Sequence, residues 1–456
     1  SIAPEFRASL AERLIKWAMG CGACKAIETD IVEVNFYESY KLGKKLGQGT
    51  FGQVRLAKDK ANGAELAVKI VDVRHYDEKT GVCTGQISRA RNKATRDEIS
   101  LWKIICSVEC SHVVQLHRAF SDNSLYYMVC ERCKRSMLDM TVDGLTEADL
   151  SNIFKQMALG VLHAHTAKIV HRDIKPDNFL WGGPGHDVLK LCDFGLAAAM
   201  PVNGKLQGVY GTAPYMAPEM LLSKGYDYLV DIWSIGAVAF LLSYGKFPYS
   251  PAEQTSAAMK DAISRDHPSL CFPTERAERA PCSDQLISFI KSSLCRDVGH
   301  RSSAKDLLEH TFIVNKQEAK ADGEDGTEAA PQEADQDGSP ARPITMHIRS
   351  LTDKMMSKVS RPSPTVQNGI DELLQKLFEK YGGEPAGSNM FFSEGDEDKA
   401  ADSDVSPTIR EADNRIKKKN SRRNVKHTTH SGVLSPQAAQ ALNINTASSE
   451  EDQEGD

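Results

Sequence analysis

The residues best placed to do chemistry lie on one short stretch, His171-Arg172-Asp173-Ile174-Lys175-Pro176-Asp177-Asn178, followed closely by Asp193-Phe194-Gly195. Two carboxylates and an amide can converge here. Asp173 can accept a hydroxyl proton, while Asn178 and Asp193 carry hard oxygens suited to Mg²⁺ bridging ATP phosphates. Upstream, Gly47-Gln48-Gly49-Thr50-Phe51-Gly52-Gln53-Val54 is a glycine-rich turn whose backbone can approach phosphates closely, a pattern that is common by chance when it stands alone. The residues after the turn decide between two folds. A dinucleotide fold needs a helix directly after the glycines, whereas Val54-Arg55-Leu56-Ala57-Lys58 alternates as a strand does, so a β-hairpin lid over a nucleotide fits better. Ala67-Val68-Lys69 then sets a lysine on the next strand, where it can hold phosphates if a carboxylate orients it. Glu98 is the candidate partner, although a surface lysine and a solvated glutamate are the commoner outcome for either residue alone.

Positioning these groups takes a sheet and helices. Strands are expected over 40–47, 53–58, 65–71 and 125–131, with a helical pattern over 89–105 between the third and fourth. Beyond residue 149 the pattern is mainly helical, with short strands near 179–181 and 188–191. A β-rich lobe followed by an α-rich lobe results.

Composition divides the 456 residues into three regions. Residues 1–39 form a lead with an amphipathic patch (Leu10, Leu14, Ile15, Trp17), and 40–313 carry dense apolar periodicity. Residues 314–456 are rich in Ala, Glu, Asp, Gly, Ser and Pro and bury too little surface to offset ordering entropy, so a mostly disordered acidic tail is expected. Within it, Ile370, Leu373, Leu374, Leu377 and Phe378 fall at helical spacing, which predicts a short docking helix over 369–381. A basic cluster at 415–426 reads as a solvated run. Lys and Arg number 56 against 62 Asp and Glu, a net charge of −6 that implies no global attraction to nucleic acid. The 11 cysteines, odd in number and irregular in spacing, point to reduced thiols and a cytoplasmic protein. The most apolar stretch, 232–242, is about half the length of a bilayer span and reads as a buried helix. In 333–344 three acids align with a calcium loop around Gly338, yet Ile344 stands where the final glutamate belongs, so no built-in calcium sensor is expected.

Gly211-Thr212-Ala213-Pro214-Tyr215-Met216-Ala217-Pro218-Glu219 and Asp231-Ile232-Trp233-Ser234-Ile235-Gly236 complete an ordered set of motifs. With them the chain resembles a eukaryotic protein kinase of the serine/threonine type, loosely similar to the calcium/calmodulin-dependent kinase group. The resemblance covers 40–313. It implies an α+β, two-lobed fold with a small β-rich N-lobe holding one helix and a larger helical C-lobe, and it implies ATP and Mg²⁺ as cofactors and protein substrates. By similarity Asp173 is the catalytic base, Lys175 steadies the transferring phosphoryl group, Lys69 pairs with Glu98 and the phosphates, and Asn178 and Asp193 bind the metal. Leu46, Gly47, Gly49, Gly52, Val54 and Ala67 would wrap the nucleotide, whose adenine would bond the Glu131 carbonyl and the Cys133 amide, with Cys130 as gatekeeper. Cys192 would face the same pocket. Trp102, Leu116, His171 and Phe194 match the family's stacked spine, Asp231 its catalytic-loop anchor, and Glu219 with Arg301 its large-lobe ion pair.

Three departures stand out. The stretch from Lys69 to Glu98 is longer than the family usually allows, so an inserted loop is expected over 76–89. Met137 and Leu241 occupy positions where arginine-directed kinases carry acids, and Val209, Ala213 and Met216 would instead line an apolar pocket beside the phosphoacceptor. Between Asp193 and Thr212 there is no Ser, Thr, Asp or Glu, Gly208 stands at the usual phosphosite, and Tyr210 is the one phosphorylatable side chain. The segment should therefore order without a phosphate on it, leaving control to the tail. A kinase-shaped scaffold without catalysis is the rival reading, and the intact set of catalytic groups weighs against it. A monomer is expected. If Met19 is the true start, Met19-Gly20-Cys21-Gly22-Ala23-Cys24 resembles a doubly acylated terminus, with lipid on Gly20 and Cys21 and peripheral membrane attachment.

Overall fold

The computed structural model describes residues 35–48, 52–77, 83–122, 124–140, 144–202, 204–273 and 281–315, with 348, 349, 374, 377 and 380 of the tail. Gly49, the acylation motif and the basic cluster lie outside the described residues. The small lobe is an antiparallel five-stranded sheet in the order β1-β2-β3-β7-β6. Its strands are β1 (Tyr40–Gln48), β2 (Gly52–Asp59), β3 (Glu65–Asp72), β6 (Leu116–Asp122) and β7 (Leu125–Cys130). Strand alternation sorts the side chains of β3. Val68 and Ile70 enter the outer cluster with Phe36, Tyr40 and Tyr127, whereas Ala67 and Val71 join the main core on the inner face. Lys69 shares that inner parity and pairs in register with Val54 on β2 and Met128 on β7. It thus stands mid-sheet.

The inserted stretch is a hairpin rather than a loop. β4 (Arg74–Tyr76) and β5 (Cys83–Ile87) pair Arg74 with Ile87 and Tyr76 with Cys83. Asp72 organises it: its carboxylate accepts from Arg74 Nη2 at 2.6 Å and from Tyr76 Oη at 2.6 Å. The hairpin ends at Ser88, whose amide bonds the Val73 carbonyl at 2.8 Å and whose hydroxyl caps α2 (Arg89–Cys106) by accepting from Arg91 N. Thr95, Glu98, Ile99, Trp102 and Ile105 form the buried stripe of α2 at three- and four-residue spacing, so the cap fixes which way Glu98 faces.

The large lobe is built on α3 (Glu147–Thr166), started by a Thr146/Asp149 capping box, and on α5 (Leu229–Tyr244). Every residue of α5 from Val230 to Ser243 is buried, which explains its lack of a polar face. Among the described residues no helix is long and apolar enough to cross a membrane. The Glu219 carboxylate, on α4 (Pro218–Leu221), takes two bonds from Arg301 at 2.6 and 3.0 Å. Arg301 also donates to the Leu229 and Cys295 carbonyls and lies over the Trp233 ring, so its guanidinium ties α4, α5 and the backbone at Cys295 together.

Two tail positions join this frame. Ile348 is fully buried in the main core, and its amide donates to the Met140 carbonyl at 3.2 Å while Arg349 pairs with Asp139 at 2.7 Å. Leu374, in the segment expected to be a docking helix, is helical and buried against the outer face of the small-lobe sheet with Leu377 beside it.

Breaking one side of the Glu219–Arg301 pair leaves a buried charge. Glu219→Ala and Arg301→Ala should each lose about 3–5 kcal/mol of stability in urea unfolding, and Glu219→Leu with Arg301→Met together should lose less than the two single losses combined. Single losses within the range of ordinary surface changes, about 0.5 kcal/mol, would contradict this role.

Candidate active site

Lys69 Nζ sits between two carboxylates, 2.6 Å from Glu98 Oε1 and 2.7 Å from Asp193 Oδ1. Burial alone would lower the lysine pKa, but the charges of Asp193 and Glu98 outweigh it and raise it, so the ammonium persists. The Lys69 charge holds the Asp193 carboxyl down at about 2. Because that pKa is depressed, its contribution to stability is present above the ordinary carboxylate range and is lost only as pH falls toward 2. Burial pushes the Glu98 carboxyl up, with Lys69 pulling against it.

Asp173 and Lys175 lie on the loop between β9 (Ile169–Val170) and β10 (Phe179–Gly182). Lys175 Nζ is 2.8 Å from Asp173 Oδ2 and donates to Thr212 Oγ1 at 2.9 Å, while the Thr212 hydroxyl donates to Asp173 Oδ1 at 2.8 Å. The hydroxyl has one proton and free lone pairs, so it serves both partners at once. Asn178 is buried. Its Nδ2 donates to the Asp173 carbonyl at 2.7 Å and to Asp173 Oδ2 at 3.1 Å, so the amide oxygen is the atom it keeps to offer a metal. Asn178 therefore shapes the loop as well as offering a ligand. One amide oxygen and one carboxylate, completed by phosphate oxygens and water, fit Mg²⁺, which takes few protein ligands.

The loop is held from beneath. Asp231, fully buried on α5, accepts from the amides of His171 and Arg172 at 2.8 Å each and from His165 Nε2 at 2.9 Å. Burial opposes its charge, yet the bonds from His165 and the His171 amide lower its pKa. Arg172 and Asp193 adopt left-handed backbone, φ 66° and 62°, conformations that persist only under such restraint. Trp102, Phe194 and His171 pack in succession, the first pair tilted and the second edge-on, with ring centroids 5.9 and 5.3 Å apart, and Leu116 packs on the same core.

On the nucleotide side, Gly47 pairs with Val54 across the β1–β2 hairpin, and Leu46 and Val54 pack half-buried on the core beside Ala67. Gly52 has a different reason to be glycine from phosphate approach alone: a Cβ there would lie 1.9 Å from the Ile70 carbonyl oxygen. The Glu131 side chain is taken by Lys190 Nζ and Gln115 N, each at 2.9 Å, while among the described residues its carbonyl and the Cys133 amide have no backbone partner. Both are free for an adenine edge. Cys130 is buried behind them. The three residues expected to line an apolar pocket divide instead: Ala213 and Met216 are buried in the core and Val209 is exposed.

Sequence reasoning missed several partners: Lys190 on Glu131, His165 on Asp231, and the Tyr210 ring, which lies 4.0 Å from the Arg172 guanidinium carbon. Only spatial neighbours give such pairs, and no motif spacing signals them.

The protein kinase domain profile matches residues 40–313. The chain belongs to the protein kinase family. It is loosely related to the calcium-dependent and calcium/calmodulin-dependent kinase group. It is 30% identical over 285 residues to Calcium-dependent protein kinase 4 of Plasmodium berghei, covering 61% of this chain and 50% of that protein. It is 32% identical over 280 residues to Mitogen-activated protein kinase kinase 2 of Arabidopsis thaliana, covering 59% and 71%. With CBL-interacting protein kinase 9 of Oryza sativa it shares 37% identity over 217 residues, covering 46% and 44%. The chain spans about half the length of the calcium-dependent kinases it matches.

Three thiols, Cys130, Cys133 and Cys192, lie at the positions the resemblance sets around the nucleotide. Burial pushes Cys133 up to about 12 and raises Cys130 and Cys192 well above the usual thiol range, so none is a ready thiolate. Iodoacetamide at neutral pH should modify exposed Cys271 before these three, by at least about tenfold in rate, as followed by peptide mass spectrometry. Faster labelling of Cys192, which is half-buried and which the sequence set facing the nucleotide, would contradict the upward shift of its thiol.

Proposed function

We propose that this kinase transfers the γ-phosphoryl group of ATP to Ser and Thr hydroxyls of protein substrates with Mg²⁺. The observation that carries the reading is the closed set of contacts among Asp173, Lys175 and Thr212 beside the Lys69, Glu98 and Asp193 cluster. Asp173 accepts the substrate hydroxyl proton as that oxygen bonds to the γ-phosphorus and the bond to the β-phosphate oxygen breaks, leaving ADP. Lys175, its pKa opposed by burial but raised by Asp173, keeps a positive charge beside the group in transit. Lys69 holds the α- and β-phosphates in place, and Glu98 fixes Lys69. Held by Asn178 and Asp193, Mg²⁺ would neutralise phosphate charge as it develops. The lysine two residues after Asp173 and its threonine partner support Ser and Thr over Tyr as acceptors.

Reduced thiols in the sequence support a cytoplasmic kinase, with membrane association through Gly20 and Cys21 if translation begins at Met19.

Turnover of Mg-ATP on a degenerate peptide library containing Ser, Thr and Tyr acceptors tests the assignment. The wild-type chain should label Ser or Thr peptides, and Asp173→Asn should lower the rate by about 10²–10⁴-fold with an unchanged melting temperature. Nucleotide binding without turnover on any peptide would instead make the chain a scaffold.

A further inference from the structure

The family resemblance assigns Arg172, beside the catalytic base, to a phosphothreonine supplied by the activation segment, and this chain has Gly208 at that place. The guanidinium is nevertheless engaged at each of its three nitrogens. Its Nε donates to the Leu196 carbonyl at 2.6 Å, Nη2 to the Ala197 carbonyl at 3.4 Å and Nη1 to Tyr226 Oη at 3.3 Å. Its face is covered by the Tyr210 ring, 4.0 Å from the guanidinium carbon. At that distance the ring face attracts the cation electrostatically. We infer that Tyr210 is a positioning residue, an aromatic latch that takes the place of the activating phosphate and orders the peptide-binding side of the site.

The connection from Tyr210 to Asp173 runs through three successive residues. Tyr210 covers the Arg172 side chain. Gly211, at φ 103°, lets its backbone press on the catalytic loop, where a Cβ would lie 2.4 Å from the Arg172 carbonyl oxygen. Thr212 then bonds Asp173 and Lys175. Upstream, Leu206 and Tyr226 exchange backbone bonds at 2.8 and 3.0 Å, and the Tyr226 hydroxyl donates to the Gln207 carbonyl. The segment is thus pinned on both sides of Gly208. That glycine belongs to the latch: a Cβ on it would stand 2.6 Å from Tyr210 Cε2, so any phosphorylatable residue there would displace the ring. The Tyr210 hydroxyl makes no hydrogen bond to another described residue, and its N–H meets Met220 Sδ at 3.4 Å. The ring, not the phenol, does the work.

The proposal rests on the kinase activity proposed above. Its test compares the full-length wild-type chain with Tyr210→Phe, Tyr210→Ala and Gly208→Ala, measuring kcat and KM for peptide and for ATP before and after broad phosphatase treatment. Tyr210→Phe should match wild type. Tyr210→Ala should lose about tenfold or more in kcat/KM for peptide while the KM for ATP stays put, and Gly208→Ala with Tyr210→Ala together should lose no more than the worse single change. Phosphatase treatment should leave the wild type unchanged. Full activity in Tyr210→Ala, a large loss on dephosphorylation, or failure of Tyr210→Phe to restore activity would overturn the latch. Absence of wild-type turnover on every peptide would instead overturn the assigned activity. If Tyr210→Ala unfolds, the Gly208→Ala kinetics carry the same comparison.

Discussion

The Lys69 ammonium is the charge on which the arrangement depends. It lies in the middle of a sheet whose neighbouring strands are β2 and β7, and a lysine so placed is tolerated only with carboxylates in reach. Those carboxylates come from two other parts of the molecule, Glu98 from the small-lobe helix and Asp193 from the loop after β11 (Val188–Leu191). One desolvated cation therefore sets the distance from sheet to helix and from small lobe to large. Removing either carboxylate would leave the other to hold the ammonium alone, with burial then working against the charge. The same demand turns Asp193 into its left-handed backbone and keeps its carboxyl ionised far below neutral pH.

A second buried charge does the equivalent work on the catalytic loop. Asp231 spends its oxygens on two consecutive loop amides and on His165, so it stays ionised while fully buried. The two amides come from His171 and Arg172, and Asp173 is the next residue. Its carboxylate is then aimed by Lys175, Thr212 and Asn178 without help from the core. The rigid part of the site thus ends one residue before the group that handles the proton.

How much of this was legible in the sequence depends on the range of the interactions. Asp173, Lys175, Asn178 and Asp193 sit in compact motifs, and the structure brings all four to one place together with Lys69 and Glu98. The small-lobe strands were legible where alternation was clean. β6 was not, because His117 and Arg118 break the pattern on an edge strand whose exposed face tolerates them. The insert read as a loop because its pairing depends on Asp72, which precedes it and gathers Arg74 and Tyr76 by side-chain contacts. Gly52 was read through phosphate approach, whereas the Ile70 carbonyl pressing on it is visible only once β2 and β3 are paired. The Tyr210 stack was invisible for a related reason: a lone tyrosine in a glycine-rich segment has no period and no fixed spacing to its cation.

The tail contacts add a constraint of another kind. Ile348 is buried beside Met140, next to the short turn Met137–Asp139, while Leu374 is buried on the outer face of the small-lobe sheet. One contact lies on the main core and the other on the small lobe. Fully burying an aliphatic side chain contributes about 1.5–3 kcal/mol. Two such contacts together contribute about 3–6 kcal/mol, small beside the cores that the two lobes build from their own strands and helices. The Arg172 guanidinium meanwhile bonds from each of its three nitrogens, to the Leu196 and Ala197 carbonyls and to Tyr226, with the Tyr210 ring over its face, so the catalytic loop is tied to the activation segment by the chain's own groups.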